Sequence, residues 1–253
     1  MTSVVLDQIE ELSYAKKEAF NSLRTNISFC GDDIKVIVFT SCALDEGKSS
    51  TVFQLGHSMA DAGKRVLLID ADLRKSVLIG RHHAHKLKEE EEEKSGIAGM
   101  SHYLTGQVEL TEAICSTNVP NLHIIFAGRM VPNPTELLGN VHMEELLTYA
   151  RENYDVVLID TPPLGSVIDT AVIAPKCDGA ILIVESGKNS YHFLQDIKNQ
   201  LDLTGCRILG TVLNKVHIEK NGYYSRYYKV SYNKYYGDVE GNSEQETLNH
   251  VQE

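Results

Sequence analysis

The chain has 253 residues, 42% of them hydrophobic, and a formal charge of −11 from 24 basic and 35 acidic side chains. That length suits one large domain or two small ones, and the apolar share is enough for a core, which excludes wholesale disorder. No apolar run approaches the ~20 residues of a membrane helix, the N-terminus lacks the basic-then-apolar pattern of a signal peptide, and the acidic balance argues against a dedicated nucleic-acid binder.

Residues 6–29 read as an amphipathic helix, with Ile9, Leu12, Phe20, Leu23 and Ile27 at helical spacing and Lys16, Lys17, Glu18 and Arg24 between them. Short apolar runs then alternate with helical patterns. The runs cover 36–40, 66–70, 122–127, 156–160, 180–185 and 208–213, and the helical patterns 49–62, 141–153 and 190–203. Within the runs apolar and polar residues do not alternate, which predicts strands covered on both faces. Strands alternating with helices predict a parallel sheet built from βαβ units. The fold class is therefore α/β: one doubly wound, mostly parallel sheet with helices on both faces. It occupies residues 31–216, after an N-terminal helix over 1–30 that suits an oligomer contact.

Between the strands, residues 86–95 form a charge run read as a solvated surface segment. The neighbouring His82, His83 and His85 read as surface histidines rather than metal ligands. Five cysteines are scattered with no CxxC spacing, which suggests neither a disulfide framework nor a thiolate metal site; the expected compartment is the reducing cytoplasm. After Val216 the apolar periodicity stops. Residues 217–253 read as a flexible tail that holds seven of the chain's 12 tyrosines: Tyr223, Tyr224, Tyr227, Tyr228, Tyr232, Tyr235 and Tyr236. Lys220, Arg226, Lys229 and Lys234 accompany them with no acidic residue between 220 and 234, which suits docking at an acidic edge.

The strongest chemical signal is TSCALDEGKSS over 40–50, which follows a predicted strand and opens a predicted helix. Such a loop turns backbone N–H groups toward one point, where the helix dipole also favours anions. Glu46, Gly47, Lys48, Ser49 and Ser50 are read as nucleotide contacts, with Lys48 on the β- and γ-phosphates and the Ser49 hydroxyl on Mg²⁺. Cys42 stands where the usual pattern has its first glycine.

Two further strands end in carboxylates: VLLIDADLR carries Asp70 and Asp72, and VVLIDTPP carries Asp160. Alternation points Asp70 and Asp72 to the same side. Ligands of open parallel sheets bind beyond the carboxyl ends of the strands, so the loop and the three acids are expected on one edge. Three carboxylates beside a polyphosphate call for a mediating Mg²⁺, and one of them can accept a proton from an attacking hydroxyl. The alternative is that Asp70 and Asp72 merely cap the following turn.

TSCALDEGKSS, LLIDADLRKS and VVLIDTPPLGSVID together resemble the bacterial tyrosine kinases, as do EAFNSLRTNI, VPNPTELL, DGAILIVESGK and GTVLNKV; the likeness spans about residues 14–216. The resemblance implies an ATP- and Mg²⁺-dependent protein-tyrosine kinase that modifies its own tyrosine tail and regulates capsular or extracellular polysaccharide synthesis. In it Lys48, Asp70 and Asp72 are catalytic, one of the two acids activating the acceptor tyrosine; Asp70, which ends the strand most directly facing the site, is read as the base. Ser49, Asp72 and Asp160 hold the metal, and Asn214 meets the adenine.

The resemblance also implies a cytoplasmic protein recruited to the inner membrane face by a separate membrane-anchored activator of the polysaccharide co-polymerase type. A homo-oligomer, in the family a ring, and a cognate phosphotyrosine phosphatase complete its implied partners. The chain departs from the family at Leu44 and Asp45, where Pro-Gly is common, and at Asn21, between Glu18 and Arg24, where the family's contact motif has arginine. Two rival readings are a ParA/MinD-type regulatory ATPase, whose additional loop lysine is missing from Ser41-Cys42-Ala43, and a degenerate P-loop that acts only as an assembly scaffold.

Overall fold

The structure, a computed structural model, describes residues 1–87 and 96–216. Most of the charge run and the whole tail, with its tyrosines from Tyr223 to Tyr236, lie outside the described residues.

Within them the strands are β1 (Thr2–Val5), β2 (Val36–Ser41), β3 (Val66–Asp70), β4 (His85–Lys86), β5 (Cys115–Ser116), β6 (Leu122–Ile125), β7 (Val156–Asp160), β8 (Gly179–Glu185) and β9 (Ile208–Asn214). The helices are α1 (Tyr14–Ser28), α2 (Lys48–Asp61), α3 (Leu78–His82), α4 (Met100–Leu104), α5 (Leu110–Ala113), α6 (Pro134–Leu138), α7 (Val141–Asn153), α8 (Asp169–Ile173) and α9 (Tyr191–Asp202).

The sheet order is β4-β1-β5-β6-β3-β7-β2-β8-β9. From β6 to β9 every pairing is parallel, and the antiparallel contacts are β1 with β4 and β5 with β6. The six predicted strands are the six parallel ones. Burial on both faces, expected from the missing polar alternation, is seen in the inner strands: Val36 and Val38 face one core with Leu67 and Ile69, while Ile37 and Phe39 face the other with Val66 and Leu68. The expectation fails for β9, which ends the sheet, has no buried residue and leaves Leu213 47% exposed. Helices α1 and α2 cover the second face, and α7 and α9 cover the first. Each Val, Leu or Ile so enclosed contributes about 1.5–3 kcal/mol, and the sheet's two faces share this burial.

The N-terminal expectation needs correction. The helix begins at Tyr14, where the Ser13 hydroxyl accepts from the Lys16 amide, and not at residue 6. Residues 2–5 form a strand instead, held by the short partners β4 and β5. His82 is also not a surface histidine. It is 5% exposed, stacks on Phe53 with ring centroids 3.8 Å apart, and its Nδ1 donates to the Gln8 carbonyl at 2.8 Å. Burial lowers its pKa. His83 and His85 are exposed as expected.

In the direction of the chain, β2 is followed by β3 on one side of the sheet, whereas β8 and β9 lie on its other side. The loop after β2 therefore stands where the winding reverses, the place at which open α/β sheets bind ligands.

Candidate functional site

The loop from Cys42 to Gly47 joins β2 to α2. Asp45 (φ 63°) and Gly47 (φ 81°) are both left-handed, on either side of Glu46. Backbone that alternates hand in this way gathers successive N–H groups into an anion-binding nest. No side chain caps α2, whose N-cap is Gly47 and not a serine; its first amides remain available to an anion. A Cβ at 47 would also lie 2.2 Å from Asn214 Nδ2 and would displace that side chain from its bond to the loop.

Glu46 is buried and braces the loop from within. Its Oε2 accepts from the amides of Cys42 at 2.8 Å and Ala43 at 3.0 Å, and its Oε1 accepts from Asn189. Asn214 Nδ2 donates to the Glu46 carbonyl at 2.8 Å, so the end of β9 supports the loop directly. The Ser50 hydroxyl accepts from Arg81.

Lys48 leaves the first turn of α2 and its ammonium bonds Asp160 at the end of β7; the two side chains are 7% and 1% exposed. The same ammonium lies 3.4 Å from Ser49 Oγ. Asp160 is in register with Asp70 across the β3–β7 ladder, which sets two buried carboxyls side by side. Burial, and then the charge of Asp160, push the Asp70 pKa up to about 7 from 3.8, against a hydrogen bond from Ser76 and the charge of Lys48. Asp70 Oδ1 also accepts from the Asp72 amide at 3.2 Å. Asp72 Oδ1 accepts from the amides of Arg74 at 3.3 Å and Lys75 at 2.9 Å, so the turn-capping role weighed for these acids is present as well. Asp72 shares a cleft with Ser41, Ala43, Lys48, Ser49 and Pro163.

The predicted loop residues and the acids at 70, 72 and 160 thus lie on one rim, while the predicted acceptor tyrosines fall outside the described residues. Ser49, Asp72 and Asp160 offer hard oxygens, the donor type that suits Mg²⁺. No group of three or more His, Cys, Asp or Glu side chains that could hold a metal occurs among the described residues.

Sequence reasoning missed the support of the acid loop. Arg74 reaches the fully buried Asp169 at the start of α8, with Nε on Oδ2 at 2.7 Å and a terminal nitrogen on Oδ1 at 3.0 Å. The Thr135 hydroxyl donates to the same carboxylate at 2.6 Å. Burial alone would raise the Asp169 pKa, but these bonds and the arginine's charge hold it below the usual range. This pair ties the loop after β3 to the loop after β7. Asp169 is fully buried but Arg74 is 39% exposed, so water screens part of the pair, and a buried acceptor left short of its partner costs about 1–3 kcal/mol. Arg74→Ala should therefore lose stability of that order in chemical denaturation, and adding Asp169→Asn should restore most of it.

Of the N-terminal contact motif, Arg24 reaches back to α2 while Glu18 stays exposed on α1. Arg24 donates to the Ser58 carbonyl at 2.8 Å, and Asn21 Nδ2 donates to Glu18 at 2.9 Å within α1. All five cysteines are free, and no helix of the described residues is long and apolar enough to cross a membrane.

The family profile described as an AAA domain matches residues 34–208. The tyrosine-protein kinase CpsD of Streptococcus agalactiae is 40% identical over 223 residues, which cover 87% of this chain and 93% of that protein. The tyrosine-protein kinase YwqD of Bacillus subtilis is 34% identical, over 83% of this chain and 85% of its own. Among solved structures, the kinase domain of Escherichia coli tyrosine kinase ETK superimposes with a TM-score of 0.74 at 28% identity, covering 85% of this chain and 84% of that one. The septum site-determining protein MinD of Pyrococcus horikoshii, complexed with Mg-ADP, shares the fold at a TM-score of 0.58 and 21% identity, covering 74% and 72%.

Proposed function

The chain belongs to the bacterial tyrosine-protein kinases, built on an AAA-type nucleotide-binding domain, and from that premise we propose how its rim transfers a phosphoryl group from ATP to tyrosine. The observation that carries the reading is Asp70: a buried carboxyl poised near neutrality, beside the phosphate loop and one strand from Asp160. A general base works best with a pKa near the operating pH.

In this reading the loop amides, Gly47, Ser50 and Lys48 hold the polyphosphate, and Lys48 neutralises charge that develops on the transferred group. Asn214 has a second amide hydrogen and a carbonyl oxygen for the adenine. Ser49, Asp72 and Asp160 would hold Mg²⁺, which would neutralise charge on the polyphosphate. Asp70 takes the proton of the tyrosine hydroxyl as the new O–P bond forms, and the bond from the γ-phosphorus to ADP breaks. Asp72, whose Oδ1 is committed to the turn, presents its other oxygen to the cleft.

The acceptors are the tail tyrosines Tyr223, Tyr224, Tyr227, Tyr228, Tyr232, Tyr235 and Tyr236, whose basic background suits an acidic rim. Each phosphate added there brings about −1.5 to −2 charges. The kinase regulates capsular or extracellular polysaccharide synthesis. It works in the cytoplasm at the membrane, with a membrane-anchored activator of the co-polymerase type, as a homo-oligomer, and opposite a phosphotyrosine phosphatase. The likeness to the tyrosine-protein kinase CpsD supports the kinase part of this setting.

A MinD-type regulatory ATPase is the less favoured reading. The kinase relatives are more similar in sequence, and Ser41-Cys42-Ala43 lacks that group's lysine. Incubation of the full chain with Mg-ATP, with and without the activator's cytoplasmic fragment, followed by mass spectrometry should find phosphate on tyrosines between 223 and 236. Free phosphate without phosphotyrosine in both arms would support the ATPase instead.

A further inference from the structure

Asp45 occupies a left-handed backbone position that glycine adopts without strain. Aspartate visits it more readily than most side chains but still at a cost, and the surrounding bonds show what offsets that cost here. The φ of a residue is set by the peptide plane before it and the ψ by the plane after it. The carbonyl of the preceding plane, Leu44 O, accepts from Lys188 Nζ at 2.9 Å. The carbonyl of the following plane, Asp45 O, accepts from Lys215 Nζ. Both ammonium groups bind one oxygen, Glu185 Oε2, at 3.1 and 3.2 Å.

We propose that Glu185, Lys188 and Lys215 are positioning residues for the phosphate loop, a clamp in which one carboxylate holds the two lysines that fix the peptide planes on either side of Asp45.

The fold delivers these side chains to one point. Glu185 ends β8 and is paired with Asn214 at the end of β9. Lys215 follows with a φ of 54°, a left-handed step just beyond the strand. Lys188 comes from the turn after β8, where Gly187 is also left-handed. The Ser186 amide donates to the Asn214 carbonyl at 2.9 Å and joins the two strand ends. The lysine hydrogen bonds, and their charges, lower the Glu185 pKa, so the carboxylate is ionised at neutral pH. Glu46 braces the loop from inside through the amides of Cys42 and Ala43, and the clamp acts from outside on the two carbonyls that follow. None of the three residues is needed to touch the nucleotide, and their effect on it passes through Asp45.

The claim rests on the reading of this loop as the nucleotide cradle, and its test is a double-mutant cycle with Asp45→Gly. In calorimetric titration of the full chain with Mg-ADP, Glu185→Gln and Lys215→Ala should each weaken binding about tenfold in the Asp45 background. In the Asp45→Gly background the same substitutions should weaken it less than about twofold, because glycine adopts the loop conformation without help.

Equal losses in both backgrounds, or no loss in either, would overturn the clamp. If the parent chain binds no Mg-ADP, the nucleotide reading falls, and the denaturant midpoint then decides the clamp separately. Glu185→Gln should lower the midpoint with Asp45 present and leave it unchanged with glycine. Equal shifts would remove the proposal.

Discussion

Lys48→Met should abolish phosphotyrosine formation, a fall of at least about 10²–10³-fold of the size seen when one preorganised charge-stabilising donor is lost, and it should also destabilise the protein. The two losses have one origin. Lys48 Nζ is the cation bonded to Asp160, and Asp160 lies in register with Asp70 inside the sheet edge. Methionine fills a similar volume but leaves a buried carboxylate without its partner, at a cost of about 3–5 kcal/mol. For a chain of this size that corresponds to a fall in the unfolding temperature of roughly 6–20 °C.

Lys48 also holds the Asp70 pKa down. In the variant Asp70 shifts further up, and its folded-state value stands still further above the unfolded one. The stability deficit should therefore grow as pH rises through 7 and shrink toward pH 5. Lys48→Arg separates the effects: a cation remains for Asp160, so the unfolding temperature recovers. The longer planar head does not reproduce the ammonium's placement, so the anti-phosphotyrosine signal stays absent. A Lys48→Met protein as stable as the parent at pH 8 would show that the buried ion pair is not what holds this edge together.

The six parallel strands were legible because each is a mostly apolar run, the mark of a strand enclosed on both faces, although β9 at the sheet edge is only partly covered. The phosphate loop and the strand-end acids were legible for a related reason: each lies next to one of those runs. The features that escaped are those made by residues far apart in sequence. Strand β1 depends on β4 and β5, which are two residues each, and neither carries an apolar run. The Arg74–Asp169 pair joins positions 95 residues apart, and a charged residue in a loop looks the same whether or not a partner waits for it. His82 read as surface because its neighbours are polar, whereas its burial comes from Phe53 on α2 and the Gln8 carbonyl of the N-terminal segment. The lysine clamp was equally silent: ESGK and LNK end separate strands, and only the β8–β9 ladder brings them to the same carbonyls.

Asp70→Asn is expected to move activity and stability in opposite directions. Asp70 is 1% exposed, and its pKa is pushed from 3.8 to about 7, first by burial and then by Asp160. The folded value lies above the unfolded one, so the fold favours the neutral carboxyl. The stability this contributes is complete below about pH 4 and is lost as pH rises through 7; by linkage the whole span is of order 4 kcal/mol. Asparagine has no charge to bury. The variant should match the parent below about pH 4, draw ahead as pH rises from 4 to 7, and be the more stable of the two at pH 8, measured by chemical denaturation at each pH.

Catalysis should move the other way. The parent's kcat/KM, which reports the free enzyme, should rise about tenfold per pH unit below 7 and level off above it as Asp70 ionises. The variant should lose about 10²–10⁴-fold at pH 8 and show no such rise. A residue that only capped the turn through Ser76 and the Asp72 amide would behave differently: its replacement would lower stability at every pH and leave the shape of the rate profile intact. Gain of stability and loss of rate at the same pH is the signature of a carboxyl held near neutrality for proton transfer, at a standing cost to the fold.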